Sequence, residues 1–436
     1  MKHRFIALIM VLMIAIPIKG GYEKEKFKID DELFDRLILK ILQIAKIPSI
    51  SIAIVKENKL IWTKGFGDYD LENSREANEG TIYLVASISK TITATAIMQL
   101  HEKGYFDLDE DVNKYLPFTL RNPNYPNKQI TFRMLLAHQS SLAVDPPGFY
   151  SYFPADLEVK DYMGKWLKEY LTPDGIHYKP QIWTDKEPGK EMNYANVGYS
   201  ILGYLVECIA TMDFEEYCRQ NIFMPLGMEN SSFDIVNLNI SRLAVPYLFQ
   251  NGEYYPLLHY AILDYPAGGL RTSIVDLSHF LIAHMNGGIY NEIRILSEES
   301  VKEMHSVQYP NNKYSFQYGL GWQIWYIGGE KYIGHTGSLY GVLTEMKYRE
   351  SDKTGIIFFM NKGADSIRDV VAFSLIESLL FWKASNFDFN EIKMMRIKER
   401  VIENMHILNE RYSYDDIDYN LCEMLKALQF FPFLQY

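Results

Sequence analysis

Apolar positions recur at two different periods along this chain, and the switches between them lay out its elements. Residues 30–45 open on the acidic turn Asp30-Asp31-Glu32 and continue with apolar positions at helical spacing. Ile47-Pro48 ends that predicted helix. Ser49 to Val55 reads as a strand, Glu57-Asn58 as a turn, and Leu60 to Gly67 as the returning strand. A second helix is predicted from near Ser87, apolar or small on nearly every face until His101, Glu102 and Lys103. A helix of that kind belongs inside a protein. Residues 104–130 are loop-rich, broken by Pro117, Pro123 and Pro126, and Thr131 to Ala137 reads as a short helix.

The middle of the chain is predicted as helices among long loops. The helices are Asp161 to Leu171, Val197 to Ala210, Phe214 to Ile222, Ser273 to Met285 and Glu298 to Ser306, with Pro180 to Asn193 and Tyr260 to Leu270 as loops. Strand character returns in four short runs, Gly319 to Tyr326, Lys331 to His335, Gly341 to Tyr348 and Gly355 to Met360, before a helix over Ser366 to Phe381. Strands at both ends around a helical middle predict an α+β fold. One antiparallel sheet would combine N- and C-terminal strands, with helices on its face and the mostly helical region beside it. Residues 387–436 read as a helical extension packed on the domain.

Composition narrows the function classes. Hydrophobic residues at 48% and charged residues at 23% are ordinary globular values. The net charge of −11, with no basic cluster, argues against nucleic acid or anionic lipid as a partner. Residues 1–21 have a signal-peptide plan: Lys2, His3 and Arg4, the apolar run Phe5 to Ile18, then Gly20-Gly21. The run is short for an ordinary spanning helix. Export is therefore expected, with the segment either cleaved or kept as an anchor, the one membrane contact foreseen. Cys208, Cys218 and Cys422 make no disulfide framework, although a Cys208–Cys218 bridge stays open. The ten histidines show no metal-ligand spacing, and neither metal nor cofactor is expected.

The chemistry is concentrated in three short motifs. Ser87 lies three residues before Lys90, so the two share a helix face, and a lysine in an apolar helix needs a partner or a task. A hydroxyl beside a desolvated amine is one way to make serine nucleophilic. Downstream, Tyr194-Ala195-Asn196 opens an apolar helix, and His335-Thr336-Gly337-Ser338 ends a strand. Each motif is weak alone; the three in this order are specific. No Gly-x-Ser-x-Gly surrounds Ser87, which argues against an α/β-hydrolase.

This set resembles the penicillin-recognising serine hydrolases: class C β-lactamases, DD-peptidases and related esterases and D-aminopeptidases. Gly65-Phe66-Gly67-Asp68, Leu135 to Leu142, Pro266 to Leu270 and Tyr318 to Trp322 are similar too, so the likeness spans residues 30–382. It implies a hydrolase domain over 22–386 that forms an acyl-enzyme on an amide, ester or lactam carbonyl of a small molecule or peptide. Ser87 would be the nucleophile, its charge favoured by the helix N-terminus. Either Lys90 or Tyr194 would take its proton. Asn196 would orient Lys90 or bind a substrate carbonyl. The backbone N–H groups of Ser87 and Ser338 would form the oxyanion hole, and the edge carrying His335, Thr336, Gly337 and Ser338 would line the cleft. The pattern's usual lysine is His335 here, which weakens carboxylate recognition and favours an esterase-like or peptidase-like member. Lys353-Thr354-Gly355 lies in a polar turn and is not the motif. Ser141 stands where a glycine is expected, and His138 reads as structural. The competing reading is an inactive sensor or assembly protein of the same fold, against which Ser87, Lys90, Tyr194 and Asn196 argue.

Overall fold

The architecture follows from one mixed-origin sheet. The computed structural model describes residues 31–143, 152–154, 162–310 and 314–385. The N-terminal run and the extension predicted over 387–436 lie outside the described residues. Helix α1 (Asp31–Ala45) leads into β1 (Ser49–Lys56) and β2 (Lys59–Asp70), joined at Glu57 and Asn58. Both turn residues have positive φ, 49° and 62°, the tight hairpin geometry whose twist matches its strands. Strand β3 is Arg75–Glu76, and the apolar helix is α2 (Ser89–Glu102). Helix α3 (Asn196–Ala210) and α4 (Ile274–Met285) belong to the middle region. The C-terminal strands are β4 (Gln317–Tyr318), β5 (Gln323–Ile327), β6 (Glu330–Leu339), β7 (Val342–Arg349) and β8 (Thr354–Met360), followed by α5 (Ile367–Ser385).

These strands form one antiparallel eight-stranded sheet in the order β4-β5-β6-β7-β8-β1-β2-β3. The two ends of the chain meet where Ile52 pairs with Phe358. Strand alternation sorts the core onto the two faces. Ile50, Ile52 and Ile54 pack with Phe358, α1 and α5, whereas Ala53, Val55, Ile357 and Phe359 pack with α2, α4 and the helical region. All of Ser89 to Leu100 is buried, as its all-round apolar character requires.

Several local expectations change. The long helix begins at Ser89, two residues after Ser87, which lies in a 3-10 turn. The loop predicted over Tyr260–Leu270 contains a short strand, Tyr260–Ile262, and one helical turn, Tyr265–Gly268. The run Gly319–Tyr326 is broken at Gly321, which takes φ +86° where a Cβ would lie 2.3 Å from the Ala94 Cβ. Close approach to α2 forces the strand to restart at Gln323. A hairpin at Tyr247–Gln250 and Glu253–Pro256 has no counterpart in the sequence reading. Ser141 does occupy a glycine-like conformation, φ +70°. Its Oγ accepts from Asn122 at 2.5 Å and donates to Lys186 O at 2.7 Å. Cys208 and Cys218 are both free.

Candidate active site

Ser87 sits where a short strand turns into α2. Ile82–Leu84 pairs with Arg271–Ser273, and Val85 N–H donates to Leu270 O at 2.9 Å. The chain then makes a single 3-10 turn, Ala86–Ile88. Ala86 takes φ +50°, a conformation costing a non-glycine residue on the order of 1–3 kcal/mol and concentrated at functional sites. The Ser89 hydroxyl fixes this turn, donating to Ala86 O at 2.6 Å and accepting from Leu270 N–H at 3.0 Å. Ser87, half-buried, is thereby held at the head of the helix.

Lys90 is fully buried, and its Nζ donates to Ser87 Oγ at 3.0 Å and to Ala267 O at 2.7 Å. A buried amine without such acceptors would be costly. Nζ also lies 5.0 Å from the ring centre of Tyr194 and 5.6 Å from that of Tyr199, within cation–π range. Tyr194 and Asn196 arrive together at the start of α3, both half-buried. Tyr194 N–H donates to the Tyr314 hydroxyl at 3.3 Å. The His138 ring packs 4.3 Å from the Tyr194 ring. Behind them Tyr199 donates to Leu136 O at 2.7 Å. Burial holds the Tyr199 and Tyr318 phenols well above the ordinary tyrosine range, so both stay protonated.

The third motif closes the site from the sheet. His335 is fully buried, 6.3 Å from the Tyr194 ring. Its Nδ1 donates to Thr336 O at 2.6 Å, and its Nε2 shares a 2.8 Å hydrogen bond with the Tyr318 hydroxyl. At Gly337 the strand presses on the serine turn: a Cβ there would lie 2.3 Å from Val85 O and 2.4 Å from Thr344 Oγ1. Thr344 Oγ1 itself donates to Val85 O at 2.9 Å, so β7 braces the same carbonyl. Thr336 is tied to β5. Its N–H and hydroxyl both donate to Gln323 Oε1, at 2.9 and 3.2 Å. Pairing of β5 with β6 stops at Gly334, and among the described residues no strand covers the edge beyond it. Because N–H direction alternates along a strand, the Ser338 N–H points to the same open edge as that of Thr336. The structure thus brings Ser87, Lys90, Tyr194, His335 and Gly337 together, with Ser338 on the adjoining edge. Lys353 is remote, at the turn between β7 and β8.

Sequence reasoning missed the Ala267 carbonyl and the Gln323 amide, because a backbone oxygen and a glutamine in a strand carry no motif. A family profile described as Beta-lactamase matches residues 34–378. The chain belongs to the beta-lactamase family. It is 26% identical over 341 residues to Protein flp of Staphylococcus aureus strain N315, a match covering 77% of this chain. The chain spans only 64% of the length of that relative. A structure of the octameric penicillin-binding protein homologue from Pyrococcus abyssi is similar with a TM-score of 0.66 and 26% identity, over 85% of this chain and 82% of that one. The D-amino acid amidase from Ochrobactrum anthropi SV3 shares the fold, with a TM-score of 0.62 and 21% identity over 80% of this chain and 99% of that one. Among the described residues no cluster of His, Cys, Asp and Glu could hold a metal ion.

Proposed function

We propose that the protein is a serine hydrolase that passes through an acyl-enzyme on Ser87. The observation that carries this reading is a fully buried lysine amine 3.0 Å from the Ser87 hydroxyl. A buried amine held against a serine hydroxyl is an arrangement that can activate the serine as a nucleophile. Ser87 Oγ attacks the substrate carbonyl carbon, and its proton passes to Lys90 or to Tyr194. The C–N or C–O bond to the leaving group breaks, and that proton goes out with the leaving group. Water then attacks the Ser87 ester, releasing the acid and restoring the hydroxyl. Negative charge on the carbonyl oxygen would be met by the Ser87 and Ser338 N–H groups.

Substrates lacking a carboxylate beside the scissile bond fit best. His335 stands where a fixed cation would grip such a group, and both its ring nitrogens are engaged inside the protein. Esters and amino-acid amides are therefore preferred over peptides ending in a free carboxylate. Incubation with a fluorescent phosphonate, followed by mass spectrometry, tests the nucleophile. Labelling of Ser87 that disappears in Ser87→Ala supports the proposal; labelling that survives the substitution overturns it. A panel of nitrophenyl esters, D-amino-acid amides, D-amino-acid peptides and a chromogenic cephalosporin then ranks the substrates. No labelling and no turnover by the wild-type protein would favour the inactive sensor. The run Phe5 to Ile18 behind Lys2 and Arg4 supports export, which cell fractionation tests.

A further inference from the structure

Tyr194 is one of two candidates for moving the Ser87 proton; its ring and the backbone of its two neighbours are all held by a single residue on another segment. His138 follows the short helix Phe132–Leu136 and takes φ +56°, in the left-handed region. Its carbonyl accepts the Asn193 N–H at 2.9 Å, and its Nδ1 accepts the Ala195 N–H at 3.3 Å. Those are the backbone groups on either side of Tyr194. Between them its ring lies against the Tyr194 ring, 4.3 Å between centroids and inclined by 32°. The ring is fixed in turn by Tyr199 at 5.1 Å and Tyr318 at 4.7 Å.

We propose that His138 is a positioning residue that sets the place of the Tyr194 hydroxyl in the proton transfer at Ser87. This rests on the acyl-enzyme reading above. The tautomer follows from the contacts: a backbone N–H can only donate, so Nδ1 carries no proton and the neutral ring has its hydrogen on Nε2. Protonating Nδ1 would break the grip on Ala195. The groups facing the ring are Tyr194, Tyr199 and Tyr318, with Lys90 and His335 as the nearby titratable groups. Burial, and then Lys90 and His335, keep its pKa well below the ordinary imidazole value. The grip therefore persists through the pH range in which the site would work. The left-handed backbone at His138 lets its carbonyl and its ring act on the same segment.

Two variants separate the contacts. His138→Asn keeps a side-chain acceptor near the Nδ1 position and suits a left-handed backbone, but removes the stacked ring. His138→Phe keeps the ring and removes the acceptor. Each is made in the wild-type and Tyr194→Phe backgrounds, with thermal unfolding confirming the fold. The readouts are the rate of Ser87 acylation by a phosphonate or an activated ester, its pH profile, and kcat and KM for the ester. Each variant is expected to lower acylation by about 10-fold to 100-fold, with KM little changed, as a misplaced catalytic group does. In the Tyr194→Phe background the same substitutions should cost less than about 3-fold, because effects of residues acting as a unit are not additive. An equal loss in both backgrounds, or folded His138 variants with wild-type acylation, would overturn the proposal. Wild-type protein that no reagent acylates would instead overturn the reading beneath it.

Discussion

Replacing Gly337 with alanine is the sharpest single test of how the two halves of the site are held. The new methyl carbon would stand 2.3 Å from Val85 O and 2.4 Å from Thr344 Oγ1, where ordinary contact begins at 3.4 Å. Neither neighbour is the loose end of a flexible side chain. One is backbone, and the other is pinned to it by a 2.9 Å hydrogen bond. Restoring contact requires Gly337 to move by about 1 Å from the serine turn and the Thr344 side chain of β7 to give way as well. Overpacking of this kind costs about 1–3 kcal/mol. Val85 lies two residues before Ser87, so the displacement reaches the nucleophile and the Ser338 N–H in opposite directions. Misplacement by about 1 Å costs on the order of 10²-fold in rate. Acylation by a phosphonate in single-turnover conditions, with unfolding in denaturant alongside, reads both quantities. A folded Gly337→Ala protein that acylates at the wild-type rate would refute the placement of β6 against the serine turn.

Three further outcomes are expected. Lys90→Met should leave the apolar packing of α2 largely intact and lower Ser87 acylation by about 10²–10⁴-fold, as loss of a general base does; a loss under 5-fold would transfer the proton to Tyr194. Lys347 is buried between Glu345 and Glu377, 3.0 Å from the latter. Lys347→Met should destabilise by about 3–5 kcal/mol in denaturant titration, since both carboxylates stay buried without it, and a cost under about 1 kcal/mol would contradict this. His284 is buried and its pKa is lowered to about 3 by burial, whereas in the unfolded chain it titrates near 6.5. The unfolded state then binds more protons below pH 6.5, so stability present above that pH is lost as pH falls, down to about pH 3. The contribution approaches about 1.4 kcal/mol per pH unit. The fall in unfolding temperature from pH 6.5 to 4 should be shallower in His284→Leu, and an unchanged slope would count against burial of this ring.

The elements legible in the sequence were those whose periodicity and burial coincide. Helix α1 has one apolar stripe, and α2 is apolar all round because it is covered all round. The hairpin of β1 and β2 carries its turn in its own residues. Strand β7 shows the opposite case. Thr344, Glu345, Lys347 and Arg349 give it the polar positions of a half-exposed strand, yet all eight of its residues are buried. Helix α5 covers that face and brings Glu377 to Lys347, and no local pattern records a partner from a distant helix. In the site, Ser87 and Lys90 were legible because helical spacing puts them on one face. His138 was visible as a residue but not as a clamp. Its grip on Asn193 and Ala195 depends on a left-handed backbone and on the meeting of two segments far apart in the chain.

The pairing of β1 with β8 bears on how the chain acquires activity at all. Ile50 lies opposite Met360, so the centre of the sheet joins residues about three hundred positions apart. Contacts of such long range slow folding, since the chain must close a very large loop before any of them is rewarded. The Ser87 turn is synthesised early and β6 late, and the strand that braces the serine cannot be present on a nascent chain. An unfinished polypeptide therefore carries the serine and the lysine without the wall that faces them. The reactive geometry is expected to appear in a single late step, when the last strands dock, and limited proteolysis during refolding should find β1 and β8 becoming protected together.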